Sequence, residues 1–354
     1  MAFLVRASLR ILMAVSFWQI AVGRGLQRSF ISWSDLRLHH RYQNSSLMDV
    51  DGGRVIFVSK DGTGQSTTVQ GAVDLVPAGN TARVKIYISP GIYREKVFVA
   101  STKPYISFIG NESGGDTVIS WNLKSSDRDS DGRIVGTSNS ATVEIEADYF
   151  CAVGITFENT AEGAKPGDSG MQAVALRIAG DKVLINRCRI LGHQDTLFDQ
   201  TGRHYFYECY IQGSIDFIFG SARSLYQACA LHAVAENFGA IAASQRNSSL
   251  DNSGFSFNAC RVYGTGMVYL GRAWGQCARI VYSDCELEGI IIPEGWDDWG
   301  DSTRQTAVWF GEFNCSGSGA DLSKRVSWAR SLTYEETKPF LDKSFVDGDE
   351  WLSL

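Results

Sequence analysis

Proline is scarce in this chain, with 6 among 354 residues, and histidine is scarcer still, with 5. Two of those histidines sit side by side at His39 and His40, and the eight cysteines form no Cys-x-x-Cys pair, so a zinc site has little support. Charge is thin as well, at 20% of residues against the usual ~25%. The 33 basic side chains are outnumbered by 39 acidic ones, and a formal charge of −6 excludes a strongly basic nucleic-acid binder. A hydrophobic share of 44% excludes global disorder. Beyond the N-terminal segment no 18 apolar residues follow one another, so nothing later reads as a membrane span. What the chain does have is glycine, 36 of them. Glycine enters positive φ without steric cost, and a glycine-rich, proline-poor chain suits many short strands joined by tight turns. A prior of about 150 residues per domain suggests two domains, but a single all-β domain often runs longer.

The N-terminus reads as an address. Met1–Arg10 carries two arginines and no acid, Ile11–Val22 is a short apolar run, and Ala21-Val22-Gly23 is a small-residue exit. This is the layout of a secretory signal peptide, too short for a ~20-residue membrane helix. Removing it takes Arg6 and Arg10 and moves the formal charge from −6 to −8. Secretion agrees with four Asn-x-Ser/Thr sequons, at Asn44, Asn111, Asn247 and Asn314. It also makes the cysteines potential disulfide partners.

The cysteines expose a repeat. Cys188-Arg-Ile-Leu-Gly192, Cys209-Tyr-Ile-Gln-Gly213, Cys260-Arg-Val-Tyr-Gly264 and Cys285-Glu-Leu-Glu-Gly289 share the form Cys-x-apolar-x-Gly, and Cys229-Ala-Leu-His-Ala233 is a weaker copy. Each is a short half-buried strand ending at a glycine turn. Cys188, Cys209 and Cys229 are spaced by 21 and 20 residues, with no helical pattern between them, which excludes βαβ units. The spacing predicts an all-β solenoid, a right-handed parallel β-helix, whose equivalent residues lie about 4.8 Å apart on successive coils. Cysteines stacked at that distance can bridge, since a disulfide spans Cα atoms ~4.4–6.8 Å apart, or can serve as small buried hydrophobes. Short helices are expected to close the ends. One runs over Ser66–Val76 with a Thr67-x-x-Gln70 capping box and Val69, Ala72, Val73 and Val76 on one face; the other starts at Thr333-x-x-Glu336 and stops near Pro339.

The repeat brings two carboxylates together. Asp195 lies seven residues after Cys188, and Asp216 seven after Cys209. On adjacent rungs two carboxylates cannot easily both ionise, so one holds its proton near neutral pH. Such a pair can supply a nucleophile and a general acid from one site; the competing arrangement is a solvated, inert aspartate ladder. Phe198 and Phe219 each follow an aspartate by three residues, and stacked they make an apolar groove wall of the kind on which sugar rings lie. Arg272, in Leu270-Gly-Arg-Ala-Trp274, is placed to keep one aspartate ionised through a bidentate pair. Gln172, in Gln172-Ala-Val-Ala-Leu176, and Gln194 can donate amide N–H bonds to an oxyanion. Two other motifs fail. Gly62-x-Gly64 resembles a dinucleotide loop, but the third glycine position is Thr67 and no βαβ series follows. Gly167-Asp-Ser-Gly170 resembles a serine-protease loop, but no Gly-x-Ser-x-Gly elbow occurs and Ser169 reads as a turn residue.

Five blocks in order are similar to one known family, the plant-type pectinesterases or pectin methylesterases. They are Gly91-Ile-Tyr-Arg-Glu95, Gln172-Ala-Val-Ala-Leu176, Gly192-His-Gln-Asp-Thr-Leu197, Asp216-Phe-Ile-Phe-Gly220 and Leu270-Gly-Arg-Ala-Trp274, within a match over roughly residues 52–352. The resemblance implies a right-handed parallel β-helix that hydrolyses galacturonate methyl esters of pectin and releases methanol. It makes Asp216 the nucleophile and Asp195 the proton donor and later the base. Gln172 and Gln194 become oxyanion stabilisers, and Arg272 orients Asp216 and contacts substrate. Trp274 is a sugar platform, Thr142 a substrate contact, and Cys209–Cys229 a disulfide. No metal or organic cofactor is implied. The expected partners are methylesterified homogalacturonan and, as the family has them, a proteinaceous inhibitor, with no nucleic acid, no membrane in the mature form, and a monomer in the cell wall. The chain departs from the family at His193, where Tyr is commoner, and at Ala273, where Pro is usual. The expected organisation is a signal peptide at 1–23, a polar leader at 24–51, too short for an inhibitory helical bundle, and one catalytic domain at 52–354. The alternatives are a pectate lyase or polygalacturonase, giving unsaturated products or new reducing ends instead of methanol, and a non-catalytic wall-binding protein.

Overall fold

The computed structural model describes residues 30–37, 40–43, 46–49, 53–110, 116–165 and 167–354, so the expected signal peptide and the sequons at Asn44 and Asn111 lie outside the described residues. Short strands of three to five residues pair in parallel with the strand one coil away, and the chain winds into a parallel β-helix with three faces. One coil shows the pattern. Val183–Asn186 lies on the first face, Arg189–Leu191 on the second and Leu197–Asp199 on the third. The next coil repeats it with Arg203–Tyr207, Tyr210–Gly213 and Ile218–Gly220. The register matches the spacing read from the sequence: Ile190 pairs with Ile211, and Leu197 with Ile218. Two later strands, Ala230–Ser244 and Arg261–Arg272, run from the second face onto the third, with a register shift between Val234 and Phe238.

The corner between the first two faces is built the same way each time. A left-handed residue (Arg187, Glu208, Ala228, Ala259, Asp284, Asn314) precedes a cysteine (Cys188, Cys209, Cys229, Cys260, Cys285, Cys315). The tight bend turns the sulfur inward, where it bonds the carbonyl two residues back, as Cys229 does with Gln227. The cysteines form a buried column, and all eight in the chain are thiols. The Cys209–Cys229 disulfide implied by the resemblance is therefore absent from this structure, although the two occupy neighbouring rungs. Inside, side chains stack coil upon coil. Ile190, Ile211, Leu231 and Val262 are fully buried, and the rings of Phe206, Tyr226, Phe257 and Tyr282 stack 4.5–4.8 Å apart.

A helix at Val69–Asp74 covers the first coil with Val69, Ala72, Val73 and Val76 buried, as the periodicity predicts. Its cap is Thr68, one residue later than expected, and Gln70 does not complete a capping box. Instead the Glu95 carboxylate, from the Gly91–Glu95 block, accepts the Val69 and Gln70 amides and satisfies the exposed helix end. The Thr333/Glu336 capping box is present as predicted. The chain beyond it does not close the solenoid end. It runs back along the outer side of the first face, burying Phe340, Phe345, Val346 and Trp351 against Leu184, Leu225 and Val281. Residues 30–37 of the expected polar leader dock on the same side. Ile31–Ser32 pairs in parallel with Leu352–Ser353, and the Lys85 ammonium holds the Ser34 and Arg37 carbonyls.

Candidate active site

The corner between the second and third faces carries the chemistry. Gly192 and Gly213 end their strands there, and a Cβ on Gly213 would lie 2.1 Å from the Phe217 Cβ and 2.6 Å from the His193 carbonyl oxygen. Only glycine lets the chain turn this sharply. Three residues on, Asp195 (φ +61°) and Asp216 (φ +46°) both take left-handed conformations, which Asp tolerates better than bulkier residues. The Asp195 amide donates to the Ile215 carbonyl at 3.0 Å, so the two corners are stitched together and the aspartates occupy equivalent positions on adjacent coils. One coil earlier, the Ala173 amide donates to the Gln194 carbonyl, which brings Gln172 alongside.

Arg272 reaches this point from the end of its long strand. Its Nε and Nη2 donate to the two oxygens of Asp216 at 2.9 and 2.7 Å. Its guanidinium lies 4.0 Å from the centre of the Trp299 ring. Asp297 stands 4.0 Å away on the far side. No side chain among the described residues donates to the Asp195 carboxyl. The two carboxyls are therefore unequal. Burial and the neighbouring Asp216 push the Asp195 pKa well above the usual carboxylate range, with Arg272 opposing weakly. Burial raises that of Asp216 too, but the Arg272 bonds hold the rise down. The first proton settles on Asp195, and the charge on Asp216.

These residues open into a cleft of about 470 Å³, lined by Gln172, Gln194, Asp195, Asp216, Arg272 and the rings of Phe198, Phe219, Trp274 and Trp299, with Thr137, Ser138 and Ala243. Phe198 and Phe219 stack face to face at 4.4 Å, and Trp274 leans on Phe219 at 6.0 Å. The buried amide oxygen of Gln172 has no hydrogen-bond partner among the described residues, so that oxygen is not committed to the fold. An adjoining hollow of about 670 Å³ continues past Gln194, where His193 sits with Glu162, Lys165, Asp168 and Glu236; burial lowers the His193 pKa.

The family model for Pectinesterase matches residues 55–349. The chain belongs to the pectinesterase family. It is 54% identical over 346 residues to Pectinesterase QRT1 of Arabidopsis thaliana, covering 92% of this chain and 91% of that protein. Pectin methylesterase from carrot superposes with a TM-score of 0.77 at 34% identity, covering 84% of this chain and 94% of that one. A pectin methylesterase solved in complex with a hexasaccharide superposes at 0.70 with 25% identity, over 82% and 96% of the two chains. The protein is thus an enzyme, a carboxylic-ester hydrolase that demethylesterifies pectin.

In this pectinesterase, Asp195, Asp216, Gln172, Gln194, Arg272, Trp274, Phe198 and Phe219 all line one cleft. Thr142 does not. It is fully buried, its hydroxyl donates to the Glu158 carbonyl at 2.9 Å, and Thr137 and Ser138 face the cleft in its stead. Thr142 sits just before the strand Val143–Ile145, and the bond to Glu158 commits its hydroxyl to the fold. Trp299 and Asp297 escaped the sequence reading, because the Cys-x-apolar-x-Gly repeat does not mark them, although the short strand Trp296–Asp297 pairs in parallel with Gly271–Arg272. The one signal was the aromatic and acidic density of Trp296-Asp-Asp-Trp-Gly300.

Proposed function

We propose that Asp216 is the nucleophile and Asp195 the general acid and base of this esterase. The observation that carries the reading is the asymmetry of the pair: Arg272 grips Asp216 with two bonds and leaves Asp195 without a donor. The ionised Asp216 oxygen attacks the C6 carbonyl carbon of a galacturonate methyl ester. The Gln172 and Gln194 amides line the same cleft and stabilise the oxyanion that forms. Collapse of that intermediate breaks the bond to the methoxy oxygen, and Asp195 gives it the proton, so methanol leaves and a mixed anhydride joins the sugar to Asp216. Asp195, now a carboxylate, takes a proton from water. The hydroxide attacks the anhydride, the free galacturonate departs, and the starting protonation is restored. Phe198, Phe219, Trp274 and Trp299 offer the apolar walls against which sugar rings pack.

The enzyme is read as acting outside the cell, in the wall, on methylesterified homogalacturonan. The Met1–Gly23 layout supports this, as do the sequon residues Asn247 and Asn314, which are exposed. No helix among the described residues is long and apolar enough to cross a membrane.

Methanol release from methylated pectin, measured together with chain length, tests the whole reading. Methanol should appear without new reducing ends or unsaturated products. Asp216→Ala and Asp195→Asn should each cut the rate by at least ~10²–10⁴-fold with the fold intact. Wild-type rates in either variant would remove that residue from its role.

A further inference from the structure

The turn that delivers Arg272 and Trp274 to the cleft is held from outside the cleft. Within it, the Trp274 amide donates to the Arg272 carbonyl at 3.0 Å, a bond too local to fix where the turn points. Ala273 in its middle adds no ring constraint on φ. On one side the Ser244 carbonyl accepts the Gly275 amide at 2.8 Å, and the rest of the constraint comes from the segment 297–306. The Asp297 carbonyl accepts the Ala273 amide at 2.9 Å. The Arg304 Nη1 then donates to both outward carbonyls of the turn, those of Ala273 and, at 2.8 Å, Trp274. Arg304 is itself anchored. Its Nε meets Asp301 at 3.2 Å, and Asp301 also caps the short helical turn Ser302–Thr306 through Thr303. The Arg304 side chain is mostly covered and does not line the cleft.

We propose that Arg304 is a positioning residue of this esterase: by clamping the Ala273 and Trp274 carbonyls it keeps the Arg272 guanidinium square on Asp216 and the Trp274 ring in the cleft wall. A planar guanidinium can serve two carbonyls while bonding a carboxylate, which no other side chain can do in one plane. Asp301 neutralises its charge locally, so its effect on the site passes through the backbone of the turn. Removing it leaves two carbonyls without their donor and loosens the turn on that side, where only the Ala273 and Gly275 amides keep their backbone partners. A bidentate pair is sensitive to such rotation, and a displacement of about 1 Å at a reacting group can cost on the order of 10²-fold in rate.

The inference rests on the reading of Asp216 as nucleophile, and the test separates the two. Methanol release by Arg304→Ala, Arg304→Lys and Arg272→Ala is followed from acid to neutral pH, each rate normalised to folded protein. The charged groups that bear on Asp216 are Arg272, Asp195 and Asp297. Of these only Arg272 favours its ionised form, so a loosened Arg272 lets the Asp216 pKa climb. Arg304→Ala should lower kcat by roughly 10–100-fold, more than it raises KM, and should move the acidic limb of kcat/KM to higher pH. Arg304→Lys, which keeps a cation able to reach one carbonyl, should recover part of kcat and shift the limb less. If Arg304→Ala proves unstable, the limb shift in Arg304→Lys still decides. A limb at the wild-type position in both variants, or an activity loss that vanishes on normalisation, would overturn the proposal while leaving the catalytic reading in place. Unchanged activity in Arg272→Ala would instead sink the catalytic reading beneath it.

Discussion

Arg272 meets Asp216 through two bonds of 2.9 and 2.7 Å, and the whole division of labour in the cleft follows from that one pairing. A guanidinium placed evenly between the two carboxyls would lower both pKa values alike and leave no acid. Placed on Asp216, it favours the charge there, and in the proposed mechanism Asp216 attacks while Asp195 keeps the proton.

The first consequence concerns Arg272→Lys. A lysine keeps the charge but loses the planar fork, so one oxygen of Asp216 is released and the carboxylate can rotate. The rate should fall by about 10–100-fold, less than for Arg272→Ala. The acidic limb of kcat/KM should move up in pH for both, as seen in methanol release across a pH series.

A second consequence is that the site weakens the fold. Both aspartates have folded-state pKa values above the unfolded one. Between the unfolded pKa and the folded ones the native state binds more protons than the unfolded chain, so stability is highest below that window and declines as pH rises through it. Asp195→Asn removes the larger of the two burdens. At neutral pH it should melt higher than wild type, by roughly 2–4 °C for each kcal/mol recovered, and the gain should shrink as pH falls below the usual carboxylate pKa. Melting curves at acid and neutral pH check the sign.

Trp299 supports Arg272 by lying flat against it at 4.0 Å. Trp299→Ala removes a cation–π contact of about 0.5–2 kcal/mol and one wall of the cleft. Expected are a several-fold rise in KM for methylated oligogalacturonides and a smaller fall in kcat, read from initial rates. An unaltered KM would place Trp299 outside the sugar path.

Asp199 follows Asp195 by four residues but belongs to the interior. It is fully buried, bonds the His204 Nδ1 and accepts from the Tyr226 hydroxyl at 2.7 Å, while His204 Nε2 contacts the Gly180 carbonyl oxygen. Asp199→Ala strands two buried polar partners and should destabilise by about 3–5 kcal/mol in denaturant unfolding. Methanol release per folded molecule should stay near wild type.

Much of this architecture is legible in the sequence because a solenoid repeats. The residues Cys188 and Cys209 announce a coil length, that length places Asp195 beside Asp216, and the same count stacks Phe198 on Phe219. What does not repeat was harder to read. The helix cap shifted from Thr67 to Thr68 because Glu95, more than twenty residues away, supplies the acceptors that a local capping box would otherwise provide. Thr142 was expected to contact substrate, but it is fully buried and its hydroxyl is taken up by the Glu158 carbonyl sixteen residues on, a partner no local pattern announces. The expected cysteine bridge was a pairing read from resemblance, and in the column Cys209 and Cys229 each have a second neighbour as well, Cys188 and Cys260.

By itself the sequence determined the coil and the adjacency of the two aspartates, since both depend on spacing along the chain, while the class of chemistry was legible only through the five blocks shared with the family. Only the tertiary structure decided which aspartate Arg272 would hold, that Trp299 would back it, and that Arg304 would brace the turn behind it. These contacts join positions 27 to 56 residues apart with no common period. They form because the coils bring them within reach, and reach in space leaves no trace in the order of residues.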